Sequence, residues 1–294
     1  MDDYVIGATA FNGAIRAFAA VTTNIVKEAR LLHDLTPIAS AALGRMLTAV
    51  TIMSTWLKND SDSITMQING GCGPLGRIIV VSDAKSNVRG YVENPFVETR
   101  INNLGKLDVS WGVGKTGYMN IIKDMGLKEP YIGFVNLVSG EIAEDLSYFF
   151  ATSEQVPTVV SLGVLVDKDE SILGAGGLIF QLMPDAGEEV VSFLESKVTN
   201  IPSVTKMIND GKSPEDILNF VFEGKEISFN KKTSCNFICS CSEEKMERNL
   251  LALGRKEIVS IIDDQGEAEL ICHFCNTKYF FSKGKLLQML AEND

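Results

Sequence analysis

The chain has 294 residues, of which 45% are hydrophobic and 22% charged, with only 8 prolines. That length suits about two domains, each able to bury a core, and the composition excludes a disordered, fibrous or small disulfide-stapled chain. Lysine and arginine number 27 against 38 acids, a net charge of −11, which disfavours nucleic acid and anionic lipid surfaces as partners.

Met1-Asp2-Asp3 lacks the basic start of a secretory signal, and no signal-like apolar run follows, so a cytoplasmic location is expected. A helical period runs over residues 24–57 and breaks near Thr36-Pro37, where Pro37 suits a first helical turn and Thr36 its cap. Residues 39–57 are apolar, yet Arg45 and several small or hydroxyl side chains interrupt them, and a buried helix explains them better than a membrane span. Strand patterns follow at 63–68, 77–81 and Asn87–Val92, separated by the glycine-rich 70–74 and the polar 82–86; they are expected to form an antiparallel meander. Further strands are expected at 107–111, 118–122, 159–166 and 171–182, with a helix over 141–154 between them. Because strands and helices are grouped rather than alternating, the fold class is α+β. Gly112-Val113-Gly114-Lys115-Thr116 resembles a phosphate-binding loop, but Val109 stands where that motif needs its first glycine. A turn between two strands is expected there instead.

Beyond Met183-Pro184 the pattern becomes short, acidic and amphipathic, with helices expected at Glu188–Val198, 202–209 and 214–222. Ser213-Pro214-Glu215-Asp216 supplies an N-cap, a first-turn proline and acids at the positive helix end. The domain organisation is therefore an N-terminal α+β domain over 1–183, a helical linker over 184–230 and a C-terminal module over 231–294.

The cysteines fall at 72, 235, 239, 241, 272 and 275, so the C-terminal module holds five of the six. Cys239-Ser240-Cys241 and Cys272-His273-Phe274-Cys275 are a Cys-x-Cys and a Cys-x-x-Cys pair. Four soft thiolates brought together make a tetrahedral zinc site with sulfur about 2.3 Å from the metal and no open coordination position for catalysis. Helices are expected at 243–253, with Gly254 as C-cap, and at 256–265, ended by Gly266. Strands at Glu267–Ile271 and 278–281 would flank the second cysteine pair in a zinc-ribbon-like module. Nine basic and ten acidic residues leave this module nearly neutral. Cys235 is a candidate alternative ligand or resolving thiol or a bystander, and Cys72, in its glycine-rich turn, a bystander. His273 reads as structural or solvent-facing, and His33 as a helix-surface or core residue. No Ser/His/Asp or HExxH arrangement suggests an enzyme.

The chain resembles the heat shock protein 33 family, the bacterial redox-regulated holdase chaperones. The four-cysteine motif carries half of the resemblance. The rest lies in His33-Asp34-Leu35-Thr36-Pro37, Ala41-Ala42-Leu43-Gly44-Arg45, Gly73-Pro74-Leu75-Gly76, Asn87-Val88-Arg89-Gly90-Tyr91-Val92, Gly176-Gly177-Leu178, Gln181 and Pro184. Leu253-Gly254, Gln265-Gly266, Phe274-Cys275-Asn276 and Tyr279 continue it. The resemblance implies one Zn2+ per reduced chain, held by Cys239, Cys241, Cys272 and Cys275. It also implies that oxidation forms Cys239-Cys241 and Cys272-Cys275 disulfides, releases zinc and loosens the C-terminal region and linker. Family members then bind unfolding proteins without ATP and dimerise. Cys72 and Cys235 depart from the family pattern, and either could add a disulfide. Two other readings compete: a zinc-ribbon nucleic-acid binder, for which Lys278, Lys283 and Lys285 give only a small basic patch, and a thiol-disulfide oxidoreductase using Cys272 and Cys275.

Overall fold

A computed structural model of the chain describes residues 1–184, 186–198 and 200–292. It divides into two units, Met1–Ile238 and Cys239–Asp294. The first opens with strands β1 (Tyr4–Ala10) and β2 (Ile15–Val21) and helices α1 (Thr23–His33) and α2 (Pro37–Ser54). Strands β3 (Ser63–Asn69), β4 (Arg77–Asp83) and β5 (Asn87–Val92) lead to the short helix α3 (Val109–Val113). Strands β6 (Tyr118–Asp124) and β7 (Tyr131–Asn136), helix α4 (Ala143–Thr152) and strands β8 (Thr158–Val166) and β9 (Ile172–Leu182) follow. Helices α5 (Glu188–Val198), α6 (Val204–Asn209) and α7 (Pro214–Val221) and strands β10 (Ile227–Ser234) and β11 (Asn236–Phe237) complete it. One sheet is ordered β10-β1-β2-β9-β8 and the other β11-β5-β4-β3-β6-β7, antiparallel throughout except where β11 runs parallel to β5.

Helix α2 fills the space between these sheets. Its Ile38, Leu43, Met46, Leu47 and Val50 share a core with Ile64, Met66, Ile78 and Val80 of one sheet and with Phe18, Leu162 and Ile179 of the other. Every residue of α2 except Arg45 is buried, and Arg45 pairs with Glu141 at 2.6 Å. Among the described residues this is the one helix long and apolar enough to cross a membrane, and its burial makes it a core helix, as the interrupted pattern of 39–57 indicates. Pro37 opens the helix, but the Thr36 side chain makes no capping bond; its hydroxyl donates instead to the Pro95 carbonyl at 2.9 Å.

The opposite face of the first sheet is covered by the helices expected in the linker. Tyr4, Ile6, Ile15, Val21 and Phe180 form a second core with Val190, Leu194, Met207, Ile217, Leu218 and Phe222. Phe222 sits edge-on to Phe180 at 5.5 Å, and Tyr4 donates a hydrogen bond to the Glu215 carboxylate. Ser213 and Asp216 form a full capping box at the start of α7. Helices α5 to α7 are thus one layer of the first unit, and residues 231–238, expected in the C-terminal module, continue that unit as the end of β10 and β11.

The antiparallel arrangement expected for β3, β4 and β5 is observed, while the strand expected at 107–111 is instead helix α3. Asp108 accepts the Trp111 amide at 3.0 Å and caps this helix, a local bond that competes with strand pairing. The turn at 112–116 consequently joins a helix to a strand, not two strands. Gly114 there adopts φ +90°, and a Cβ on it would lie 2.3 Å from the Gly70 carbonyl oxygen. Strands β1, β2, β7, β10 and β11 have no counterpart in the sequence reading.

The second unit contains helices α8 (Glu243–Leu251) and α9 (Arg255–Asp264), the hairpin of β12 (Glu267–Ile271) and β13 (Lys278–Ser282), and helix α10 (Lys283–Glu292), the last unforeseen. Its core gathers Met246, Leu250, Ile258, Ile262, Phe281, Leu286 and Met289. Ala252 rather than Gly254 caps the end of α8; Gly254, at φ +91°, is the N-cap of α9, and Gly266 ends α9 at φ +73°. The whole architecture is α+β, with a small zinc-ribbon-like second unit.

Candidate metal centre

The hairpin of the second unit makes half of a four-sulfur cluster. Between β12 and β13 the chain turns tightly: Cys272 accepts the amides of Cys275 at 3.3 Å and Asn276 at 2.7 Å through its carbonyl, and donates its own amide to Thr277 at 2.9 Å. Asn276 takes the left-handed conformation at φ +56°, which asparagine tolerates better than most residues. This knuckle turns Cys272 and Cys275 toward Cys239 and Cys241, which directly precede α8. Ser242 caps that helix by accepting the Lys245 amide at 3.3 Å, and Lys245 donates to the Ser240 carbonyl. Both cysteine pairs are therefore fixed by local backbone chemistry.

The sulfurs of Cys239, Cys241, Cys272 and Cys275 all lie within 4.8 Å of one another. The shortest separations are 3.4 Å for Cys241 and Cys275 and 3.7 Å for Cys239 and Cys272. A tetrahedron with sulfur 2.3 Å from its centre has edges of about 3.8 Å, whereas a disulfide needs about 2.05 Å. The four side chains are thus free thiols in a cluster of the size that one tetrahedral ion requires. Four soft donors, three half-buried and Cys272 buried, suit zinc, and these residues could hold it.

Burial pushes the Cys239 and Cys272 thiols up. Burial also acts against ionisation of Cys275, but hydrogen bonds from Thr277, Cys241 and Cys239 outweigh it and bring that thiol down to about 7. The Tyr279 hydroxyl donates to the Cys241 sulfur at 3.1 Å, and Thr277 Oγ1 lies 3.2 Å from the Cys275 sulfur. Such second-layer donors orient ligands and moderate their charge. The cysteine spacing identifies the four sulfurs; it carries no signal for Thr277, and Tyr279 enters the sequence reading only through the family resemblance.

Cys235 is buried within the first unit at 2% exposure, in the core around α2, and is not among the four clustered thiols. Cys72 is exposed, 3.8 Å from Thr116 Oγ1. His33 is buried in α1, and His273 faces solvent within the knuckle.

The profile of the Hsp33 protein family matches residues 3–282. The chain belongs to the Hsp33 family. Two relatives, each named 33 kDa chaperonin, come from Ruminiclostridium cellulolyticum and Acetivibrio thermocellus. The first is 53% identical over 293 residues, covering 100% of this chain and 99% of the relative. The second is 51% identical over 290 residues, covering 99% and 97%. The crystal structure of a 33 kDa chaperonin (heat shock protein 33 homolog) from Thermotoga maritima superposes with a TM-score of 0.91 at 35% identity, covering 100% of this chain and 99% of that one. Hsp33 membership indicates a chaperone rather than an enzyme.

Proposed function

We propose that this Hsp33 protein is a cytoplasmic, ATP-independent holdase that cysteine oxidation switches on. The observation that carries the reading is the gathering of four thiols within 4.8 Å in a small unit. When bound, zinc would supply a fixed tetrahedral crosslink among Cys239, Cys241, Cys272 and Cys275. In the zinc modules for which it has been measured, such binding contributes on the order of 10 kcal/mol to folding. A unit of this size has little core in reserve.

Thiolate is the form that peroxide attacks. One thiolate of each pair takes up an oxygen atom to become a sulfenic acid, and its neighbour displaces that oxygen as water to leave a disulfide. Cys239-Cys241 and Cys272-Cys275 disulfides consume two peroxides and leave no thiolate to hold a cation. Each crosslink closes a short local loop and cannot replace the bond between the two halves of the cluster. The second unit then unfolds, and helices α5 to α7 loosen. Their apolar faces, with Val190, Leu194, Ile217, Leu218 and Phe222 buried at rest, become adhesive to unfolding proteins. The net charge of −11 helps keep that state dispersed, and dimerisation accompanies it.

The test is zinc content and free-thiol count before and after peroxide with mild unfolding, beside an aggregation assay. The expected result is one zinc lost and four thiols consumed as aggregation of a denaturing protein is suppressed. An oxidised, metal-free protein that suppresses nothing would overturn the reading.

A further inference from the structure

We propose that strand β7 is a client-docking edge, where an extended, uncharged segment of an unfolding polypeptide adds as a seventh strand to the second sheet. This rests on the holdase reading and names where such a client makes backbone contact.

An exposed sheet edge offers unpaired amides and carbonyls to any extended chain, and proteins protect such edges with charges, bulges, shortness or cover. Among the described residues, most other edges carry such protection. Strand β10 has Lys231 and Lys232 and a register irregularity against β1. Strand β11 has two residues. Strand β8 also lacks a charge or a proline, but helices pack on both its faces, α2 where Val164 meets Gly44 and α6 where Gly163 meets Thr205, which leaves less room for an added strand than beside β7. In the second unit, β12 carries Glu267 and Glu269, and β13 carries Lys278, which pairs with Glu269 at 3.0 Å.

Among the described residues strand β7 pairs only with β6, and it reads Tyr-Ile-Gly-Phe-Val-Asn, without a charge or a proline. Pro130 stops the edge at one end and leaves six residues open. Gly133 and Val135 face α4, while Ile132 and Phe134 stand out at 60% and 55% exposure. The Phe134 ring is held against Tyr118 at 5.5 Å. Beside the edge lies a cavity of about 320 Å³ lined by Phe134, Val135, Asn136, Tyr148, Thr152 and Ser153. Its wall is uncharged and mixes the apolar Phe134 and Val135 with the hydroxyl and amide groups of Tyr148, Thr152, Ser153 and Asn136, so it fits a side chain of both characters, such as tyrosine, from the added strand. Backbone pairing with alternating apolar contacts is the general mode of strand addition.

The size of the edge selects the occupant. Six residues make an edge about 20 Å long, and covering it buries roughly 400 to 600 Å² in total. A stable specific interface needs about 1,200 Å² or more. A second copy docked here would not hold, whereas a weak, reversible grip suits an unfolding chain that meets further apolar surface elsewhere.

The test uses the full-length, peroxide-treated protein and fluorescein-labelled, reduced and carboxymethylated lactalbumin as a permanently unfolded probe. I132K/F134K places charges on the edge; L31K/L104K places the same charges on other exposed leucines. The apparent Kd should weaken roughly tenfold or more in the first and stay within about twofold in the second. In the wild-type complex, amides of 131–136 should gain protection from hydrogen exchange. Unchanged affinity in I132K/F134K, or amides left unprotected by bound probe, would overturn the proposal. Protection that rises with protein concentration without probe would also overturn it and assign the edge to a second copy. If oxidised wild type binds no probe, the holdase reading itself fails.

Discussion

Cys72 and Cys235 both stand outside the four-sulfur cluster, yet their surroundings give them opposite chemistry. Cys72 is exposed on a turn. Cys235 is enclosed, and burial together with the nearby Asp3 carboxyl pushes its thiol up, so little thiolate forms there. In the reduced, zinc-loaded protein, maleimide should modify Cys72 within minutes and leave Cys235 unmodified until global unfolding, as read by peptide mass spectrometry. Asp3 is itself out of balance: one carboxylate oxygen accepts the Ile25 amide at 2.7 Å, and the other is buried without a partner. Burial raises its pKa from 3.8 to about 6. The native state therefore binds this proton more tightly than the unfolded state, and the stability contributed is present below pH 3.8 and lost as pH rises through about 6. Asp3→Asn should flatten that dependence, its stability relative to wild type rising by about 1.4 kcal/mol between pH 5 and pH 7.5; urea midpoints at the two values check it. Sequence spacing exposes the four clustered thiols because metal ligands must recur at short local intervals. It is silent on the Asp3–Cys235 contact, which exists only because β10 returns beside β1.

At the scale of elements, patterning shows wherever one face of a segment meets water. The alternating burial of β3, β4 and β5 and the amphipathic α7 to α9 are visible for that reason. Strands β1 and β2 are buried on both faces and rich in alanine and glycine, so no period of two survives in them. Strand β10 is hidden for the opposite reason, being almost wholly exposed. Helix α2 depends on close approach: a Cβ on Gly44 would lie 2.7 Å from Val164 and 2.9 Å from Val26. Gly44→Val should cost about 1 to 3 kcal/mol, seen as a lower urea midpoint with an unchanged m-value. In α7, Ser213→Ala removes the cap that accepts the Asp216 amide at 3.1 Å and should cost about 1 kcal/mol. If loosening of α5 to α7 belongs to activation, this variant should reach full aggregation suppression at a lower peroxide dose than wild type.

For the whole molecule, a small second unit whose four thiols could hold a metal is set beside the large core of the first unit. Two cores of such different size predict unequal stability: removing zinc with a chelator under reducing conditions should unfold 239–292 and spare α2 between its sheets. Losing the four-thiol crosslink is expected to unfold the second unit and to carry disorder into α5 to α7. Hydrogen exchange resolved by peptide, comparing reduced zinc-loaded with peroxide-treated protein, decides whether this happens. Protection should be lost over 239–292 and 188–222 and retained over 37–54. Protection that persists over either 239–292 or 188–222 after complete oxidation and zinc loss would contradict it.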